Sequence, residues 1–262
     1  MRKEIDLKTQ KLNNTTQIQE IFLDYLNDHE YKGIFGIANF SAVYNELMPV
    51  QKDKLNNVLG QSLDLYKNSG SIISLGIFYP PKIIDCINIK KNGKKDNESW
   101  NLYAEEYAHL NEMLGEIGTK LANRFDGFNL PPTTGVPAEE VDYVADYFPH
   151  TISHRVVAEH AGIGWRGKNE LLITTLFGPA VRFTSILCNL PLIQGKKIEN
   201  QCGDCMACIN ACPILEKKDR LEDYREKCRK FIISLGLNQD VCGKCIKACF
   251  LEGTYKTKPK IQ

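Results

Sequence analysis

Eight of the ten cysteines in this 262-residue chain fall between Cys202 and Cys249, and the 201 residues before them hold two. Their order is Cys202-x2-Cys205-x2-Cys208-x3-Cys212-Pro213, then Cys228, then Cys242-x2-Cys245-x3-Cys249. Thiols this dense either pair as disulfides or bind metal, and the redox compartment decides which. The chain opens Met1-Arg2-Lys3-Glu4-Ile5-Asp6 and continues into polar residues, so no secretory signal is visible. No stretch approaches the roughly 18 apolar residues of a membrane span, so no membrane association is expected. A cytoplasmic, reducing location follows. There such a cluster is expected to hold metal, with disulfides the minor alternative.

The spacing narrows the metal. Three cysteines, each separated from the next by two residues, can wrap a tight loop around one face of a compact cluster. A fourth, followed by proline, lies one helical turn on and points away. This is the bacterial ferredoxin run, in which three thiolates hold one 4Fe–4S cubane and the fourth reaches a second. Gly203 and Ala207 keep the loop slim. The second half lacks a middle cysteine, since position 248 is Ala. Cys228 is expected to supply that ligand, because it lies on the apolar face Leu221, Tyr224, Cys228, Phe231, Ile232 and Leu235 of an expected helix. The ligand sets are then Cys202, Cys205, Cys208 and Cys249 for one cluster, and Cys212, Cys228, Cys242 and Cys245 for the other. Two zinc sites would also use eight thiolates, but zinc ribbons show separated Cys-x2-Cys pairs rather than three cysteines in seven residues and then Cys-Pro. Cys86 and Cys188 have apolar surroundings and are expected to be ordinary buried cysteines.

The remaining chain has the composition of a globular protein. It carries 33 basic and 32 acidic side chains and is 43% hydrophobic, which excludes disorder and argues against a general nucleic-acid or membrane-surface binder. Helices are expected over 16–29, 51–67, 99–124 and from Ser153 to Gly162; strands over 33–38, 71–79, 171–174 and 181–187. Residues 88–98 are expected to form a polar loop, and 131–137 a turn-rich connector. Interleaved helices and strands give an α/β or α+β layered domain over 1–195, followed by a small two-cluster domain over 196–262. The latter carries 14 basic against 9 acidic groups. That excess suits compensation of two clusters of about −2 each.

Two cubanes in tandem pass single electrons, and some 195 residues precede them. A redox wire feeding a site in the larger domain is the economical arrangement. The informative segment there runs from Phe148 to Asn169. Within it, Gly162-x-Gly164-x-x-Gly167 mimics a dinucleotide fingerprint, and Gly162-x4-Gly167-Lys168 a phosphate loop. Both need a strand before and a helix after, whereas here a helix precedes and a strand follows. His150, His154 and His160 do not make a metal site, since no third ligand is near in sequence to the pair four apart.

Arg155, Ala161-Gly162-Ile163-Gly164-Trp165-x-Gly167-Lys168-Asn169 and Leu171-Leu172-Ile173, with the cysteine run behind them, resemble the signature of epoxyqueuosine reductases and the related reductive dehalogenases. The resemblance covers roughly residues 30–250. It implies a nitroreductase-like α/β domain holding cobalamin, followed by a bacterial-ferredoxin-like domain whose two 4Fe–4S clusters reduce the cobalt. It further implies a low-potential donor of ferredoxin or flavodoxin type and an electrophilic substrate, here unknown. Arg155, Gly162, Gly164, Trp165, Gly167, Lys168 and Asn169 would then bind the cofactor; otherwise the glycines shape a turn and Arg155 makes a structural salt bridge. In those enzymes an aspartate seven residues before the arginine donates a proton. Phe148 occupies that position here, leaving Asp146, His150 and His154 as candidate catalytic acids. The helical-repeat tail that helps those enzymes hold tRNA is absent, and Phe250 replaces the usual proline, so tRNA is not expected as a partner. The competing expectation is an electron-transfer or activating protein with two clusters and no corrinoid; flavin in place of the corrinoid is a third.

Overall fold

The computed structural model describes residues 2–132, 141–150 and 152–257. Of the connector expected over 131–137, residues 133–137 lie outside the described residues. In chain order the elements are α1 (Arg2–Asp28), β1 (Gly33–Asn39), α2 (Phe40–Glu46), α3 (Pro49–Leu59), α4 (Ser62–Ser69), β2 (Ser71–Phe78), α5 (Pro81–Asp85), the hairpin β3–β4 (Lys90–Lys91, Lys94–Lys95), α6 (Asn97–Arg124) and β5 (Phe128–Leu130). They continue with α7 (His154–His160), β6 (Gly164–Arg166), β7 (Leu172–Thr174), β8 (Val181–Cys188), α8 (Ala207–Asn210), α9 (Pro213–Glu216), α10 (Tyr224–Ile233) and α11 (Lys244–Glu252).

Four strands form one antiparallel sheet in the order β1-β2-β8-β5. Its two central strands have apolar residues on both faces, and alternation sends them to two layers. Ile73, Leu75 and Ile77 of β2, with Ile186 of β8, pack into a core with Trp100, Leu114 and Ile117 of α6 and Phe22 of α1. Ile72 and Leu187, one residue out of phase, pack with Phe40 of α2 and Val157 of α7. The result is a mixed α/β body with helices on both faces of the sheet. Among the described residues no helix is long and apolar enough to cross a membrane.

α6 anchors the larger core. Asp96 caps it, accepting from Ser99 N at 3.2 Å, and its apolar stripe follows the expected four-and-three spacing. Other elements depart from expectation. α1 begins fourteen residues before the expected helix; Leu7 and Leu12 in its early part are exposed, so no apolar stripe marks them in the sequence. The helix expected over 51–67 is two helices, α3 and α4, broken at Gly60, whose φ of 50° is glycine territory. The expected loop 88–98 contains the exposed hairpin β3–β4, turned by Asn92 and Gly93 at φ 53° and 76°, a pair suited to a tight hairpin. β7 forms where expected and pairs with β6 in a separate two-stranded unit. The chain after residue 196 is held to the body, since Leu235 and Val241 enter the α6 core.

α7 begins where expected, with Ser153 accepting from Val156 N. Its first residue, His154, is buried with both ring nitrogens engaged. Nε2 lies 3.0 Å from Pro131 O and Nδ1 lies 2.9 Å from Ser185 Oγ. A carbonyl only accepts, so Nε2 carries the proton and the Ser185 hydroxyl donates to Nδ1. Burial pushes the His154 pKa down from 6.5 to about 4.

Two outcomes follow. Leu114→Ala, which empties a fully buried site, should cost about 2–5 kcal/mol of stability in urea unfolding followed by circular dichroism. Because the unfolded chain takes up the His154 proton first, the histidine favours unfolding as pH falls from 6.5 towards about 4. Its share is at most about 3 kcal/mol. A His154→Gln variant should therefore lose less stability across that window than the parent, and equal losses would refute the assignment.

Candidate functional site

The structure gathers the eight carboxyl-terminal cysteines into two groups of four. Cys202 and Cys205 lie on the loop leading into α8, Cys208 on α8 itself and Cys249 on α11; the four line one void with Trp165 and Tyr255. A turn closes the loop, with Cys205 N donating to Cys202 O at 3.0 Å, and Gly203 takes φ 49°. The indole Nε1 of Trp165 donates to Cys202 Sγ at 3.4 Å. Lys168 Nζ donates to Cys205 O at 3.0 Å.

The second group comprises Cys212 at the start of α9, Cys228 on α10, and Cys242 and Cys245 around the start of α11. All four line a second, larger cavity. Gly243, between the last two, has φ 75°, and a Cβ there would meet Ile87 at 2.7 Å and Tyr103 at 2.9 Å. Only glycine passes this corner. Trp100 Nε1 donates to Cys242 O at 2.8 Å and so fastens the group to α6.

Burial sets the chemistry of these thiols. It pushes Cys249 up to about 12, with Cys208, Cys202 and Cys205 adding to the rise. It pushes Cys228 up to about 11, helped by Cys242 and Cys212. Cys245 is raised well above the ordinary range by burial, then by Cys242, Cys228 and Cys212, and also by Cys208. Each thiol thus acts on others of its own group, and Cys208 with Cys245 brings the groups side by side. Protein alone disfavours thiolates here; a bound metal centre would supply the missing positive charge. Among the described residues no three Cys, His, Asp or Glu side chains meet closely enough to hold a single metal ion. The cysteines ring a space instead, a donor set that fits a polynuclear cluster.

The cavity beside the second group is about 550 Å³, a volume that takes a drug-sized ligand. Its walls come from the cysteine segment, from β8 around Arg182, from the start of α7, and from Tyr79, Tyr103 and Tyr107. Of the three candidate acids, His154 alone lines it. Asp146 and His150 are exposed on the 3-10 turn Val144–His150: Asp146 Oδ2 accepts from Tyr143 N at 2.8 Å, and His150 O accepts from Lys54. That turn is tied to α10 by Glu226, which accepts from Val144 N at 2.8 Å while paired with Arg229 at 2.7 Å.

The residues of the glycine-rich segment part company. Arg155 lines the cavity and pairs with Glu159 one turn along. Asn169 faces both the void and the cavity; its Oδ1 accepts from Leu171 N at 3.2 Å, and its buried Nδ2 finds no partner among the described residues. Trp165 and Lys168 attend the first cysteine group. The glycines face chain, not cavity: a Cβ on Gly162 (φ 73°) would meet Lys196 O at 2.5 Å, and one on Gly164 would meet Ile173 O at 2.3 Å. Gly167 packs on the Ile173 side chain. Cys188 is buried as expected, whereas Cys86 is half-exposed. Arg182 and the three tyrosines escaped sequence analysis; a charged residue inside the apolar strand Val181–Cys188 was the available signal.

No protein-family model matches the chain. An epoxyqueuosine reductase of Listeria monocytogenes is 32% identical over 152 residues, covering 57% of this chain and 36% of that protein. One from Bacillus cereus is 29% identical over 202 residues, covering 69% and 49%. One from Lactococcus garvieae is 26% identical over 260 residues, covering 92% and 69%. The chain thus spans between about a third and a half of the first two relatives. A crystal structure of epoxyqueuosine reductase superposes with a TM-score of 0.48 at 19% identity, covering 95% of this chain and 68% of that one. Another, with a TM-score of 0.42, 20% identity and coverage of 77% and 53%, contains a tRNA-Tyr stem loop modified with epoxyqueuosine. The expectation that tRNA is not a partner is overturned by these relatives, which are named epoxyqueuosine reductases. It rested on a missing tail, and where a chain stops does not say what its cavity accepts. In sequence the chain is epoxyqueuosine reductase-like, as the cysteine run and the Gly162–Asn169 segment together indicated.

Proposed function

We propose that the chain is an iron–sulfur oxidoreductase in which two 4Fe–4S clusters supply electrons to a cobalamin held in the cavity beside the second cysteine group. The observation that carries this is the partition of eight cysteines into two adjoining groups of four, the second of which opens onto that cavity. Cys202, Cys205, Cys208 and Cys249 would hold one cluster; Cys212, Cys228, Cys242 and Cys245 the other. Residues 1–195 would form the cofactor and substrate unit and 196–262 the cluster unit. By analogy with the named function of its relatives, the first substrate to test is an epoxide-bearing modified nucleoside in RNA.

Cobalamin, when bound, would supply a low-potential metal able to reduce an electrophile. The chain's own residues do the rest. Trp165 and Trp100 fix one cysteine group each. Asn169 Nδ2 and Arg155 offer donors at the cavity wall, and the tyrosines and Phe183 exclude water. Of the candidate acids His154 is the one on that wall; because burial lowers its pKa to about 4, it would deliver a proton only after taking one up under acid conditions.

Anaerobically isolated protein should be brown and contain about eight iron and eight sulfide per chain. Cys228→Ser and Cys202→Ser should each lose roughly half of the iron, from different clusters. Colourless protein containing zinc would end the proposal. Incubation with cobalamin and desalting should leave a corrinoid spectrum on the protein, and dithionite-reduced holoprotein should then consume an epoxyqueuosine-bearing RNA stem loop. Clusters without corrinoid retention would reassign the chain to electron transfer alone.

A further inference from the structure

The guanidinium of Arg182 lines the cavity without a carboxylate partner among the described residues. It projects from β8 towards α6, where Nε and Nη2 donate to Asn111 Oδ1 at 3.0 and 2.8 Å. Its carbon lies 4.2 Å from the centre of the Tyr107 ring. These partners are neutral, and among the described residues no carboxylate forms an ion pair with it. Arginine cannot discharge by losing its proton, and a cation withdrawn from bulk water is costly unless met by an anion. Its residual exposure is to the cavity that it lines with Tyr79, Tyr103 and Tyr107.

Asn111 shows that this placement is built. It is 3% exposed, its oxygen is committed to Arg182, and its Nδ2 is left buried without a partner among the described residues. A buried amide group without a partner costs stability. Its return is a guanidinium held in one orientation by two hydrogen bonds to Asn111, a side-chain hydrogen bond with Tyr107 and the face of that ring. A planar fork of this kind matches a carboxylate or phosphate.

We propose that the cavity contains an oxyanion subsite built on Arg182, which binds a carboxylate or phosphate of the molecule that the cavity accepts. The inference rests on the cavity and not on the clusters. If the protein contained no iron, the proposed function would fail, and the same measurement on the protein as isolated would still decide this site.

Equilibrium dialysis of radiolabelled inorganic phosphate and of acetate against holoprotein, in chloride-free buffer, tests it. The parent should bind one or both at one saturable site per chain, and the tighter of the two identifies the anion class. Arg182→Gln should weaken that binding tenfold or more, and Arg182→Lys by less. Asn111→Asp provides a second variant that keeps the arginine: the new carboxylate should pair with it, lower anion affinity about as much as Arg182→Gln, and raise the melting temperature. Prior loading with cobalamin separates two sources of the anion. Loss of phosphate binding would assign the subsite to the cofactor's phosphate, and persistence would assign it to substrate. No saturable binding by the parent, or equal binding by the parent, Arg182→Gln and Asn111→Asp, would overturn the proposal. So would a change confined to cluster potential, since Arg182 would then serve the cluster alone.

Discussion

Buried sulfur is the constraint to which the carboxyl-terminal quarter of the chain answers. Cys208, Cys228, Cys242, Cys245 and Cys249 all lie where burial raises the cost of a thiolate, and in each case neighbouring cysteines act on the environment as well. The elements that present them are short: α8 and α9 have four residues each, α11 nine and α10 ten. Helices of this length do not persist unaided. Under the proposed ligation, one cluster would join α8 to α11 and the other would join α9, α10 and α11, each supplying the charge that the thiolates need. Folding and metal binding of this segment would then be one process.

The body of the protein meets that segment through specific contacts. The chain has two tryptophans, and each gives its indole N–H to one cysteine group: Trp165 to the Cys202 sulfur and Trp100 to the Cys242 carbonyl. Trp165 is on the β6–β7 hairpin and Trp100 on the long α6, so the two groups are referenced to different layers of the body. The cavity lies beside the second group, and its other walls come from β8, the start of α7 and Tyr79, Tyr103 and Tyr107. The sheet therefore positions the reactive region through one strand and two indoles.

Much of this was legible in local pattern. The stripe of α6, the Ser153 cap and the strands β2 and β8 follow from periodicities that depend on near neighbours alone. Where expectation failed, the cause was local as well: Gly60 interrupts a stripe that reads as one helix, and Asn92-Gly93 turns a run of lysines back on itself. The glycine-rich segment marks the opposite limit. Its glycines looked suited to a flat cofactor, yet Gly162 and Gly164 make room for Lys196 and Ile173, residues 34 and 9 positions away. Spacing shows that a backbone must pass closely there, but not what it passes.

The sequence by itself determined the number and spacing of the thiols, and with them the two groups of four, because a Cys-x2-Cys-x2-Cys loop has few ways to fold around one centre. It also determined the layered α/β body, since alternating and helical apolar periods admit few partners. Tertiary structure alone decided which of Asp146, His150 and His154 reaches the cavity, which side chains of the Phe148–Asn169 segment attend sulfur, and that Arg182 lines the cavity with no carboxylate partner among the described residues. Those outcomes depend on residues brought together from β8, α6 and α7, and side chains that far apart along the chain leave no period or motif for sequence analysis to detect.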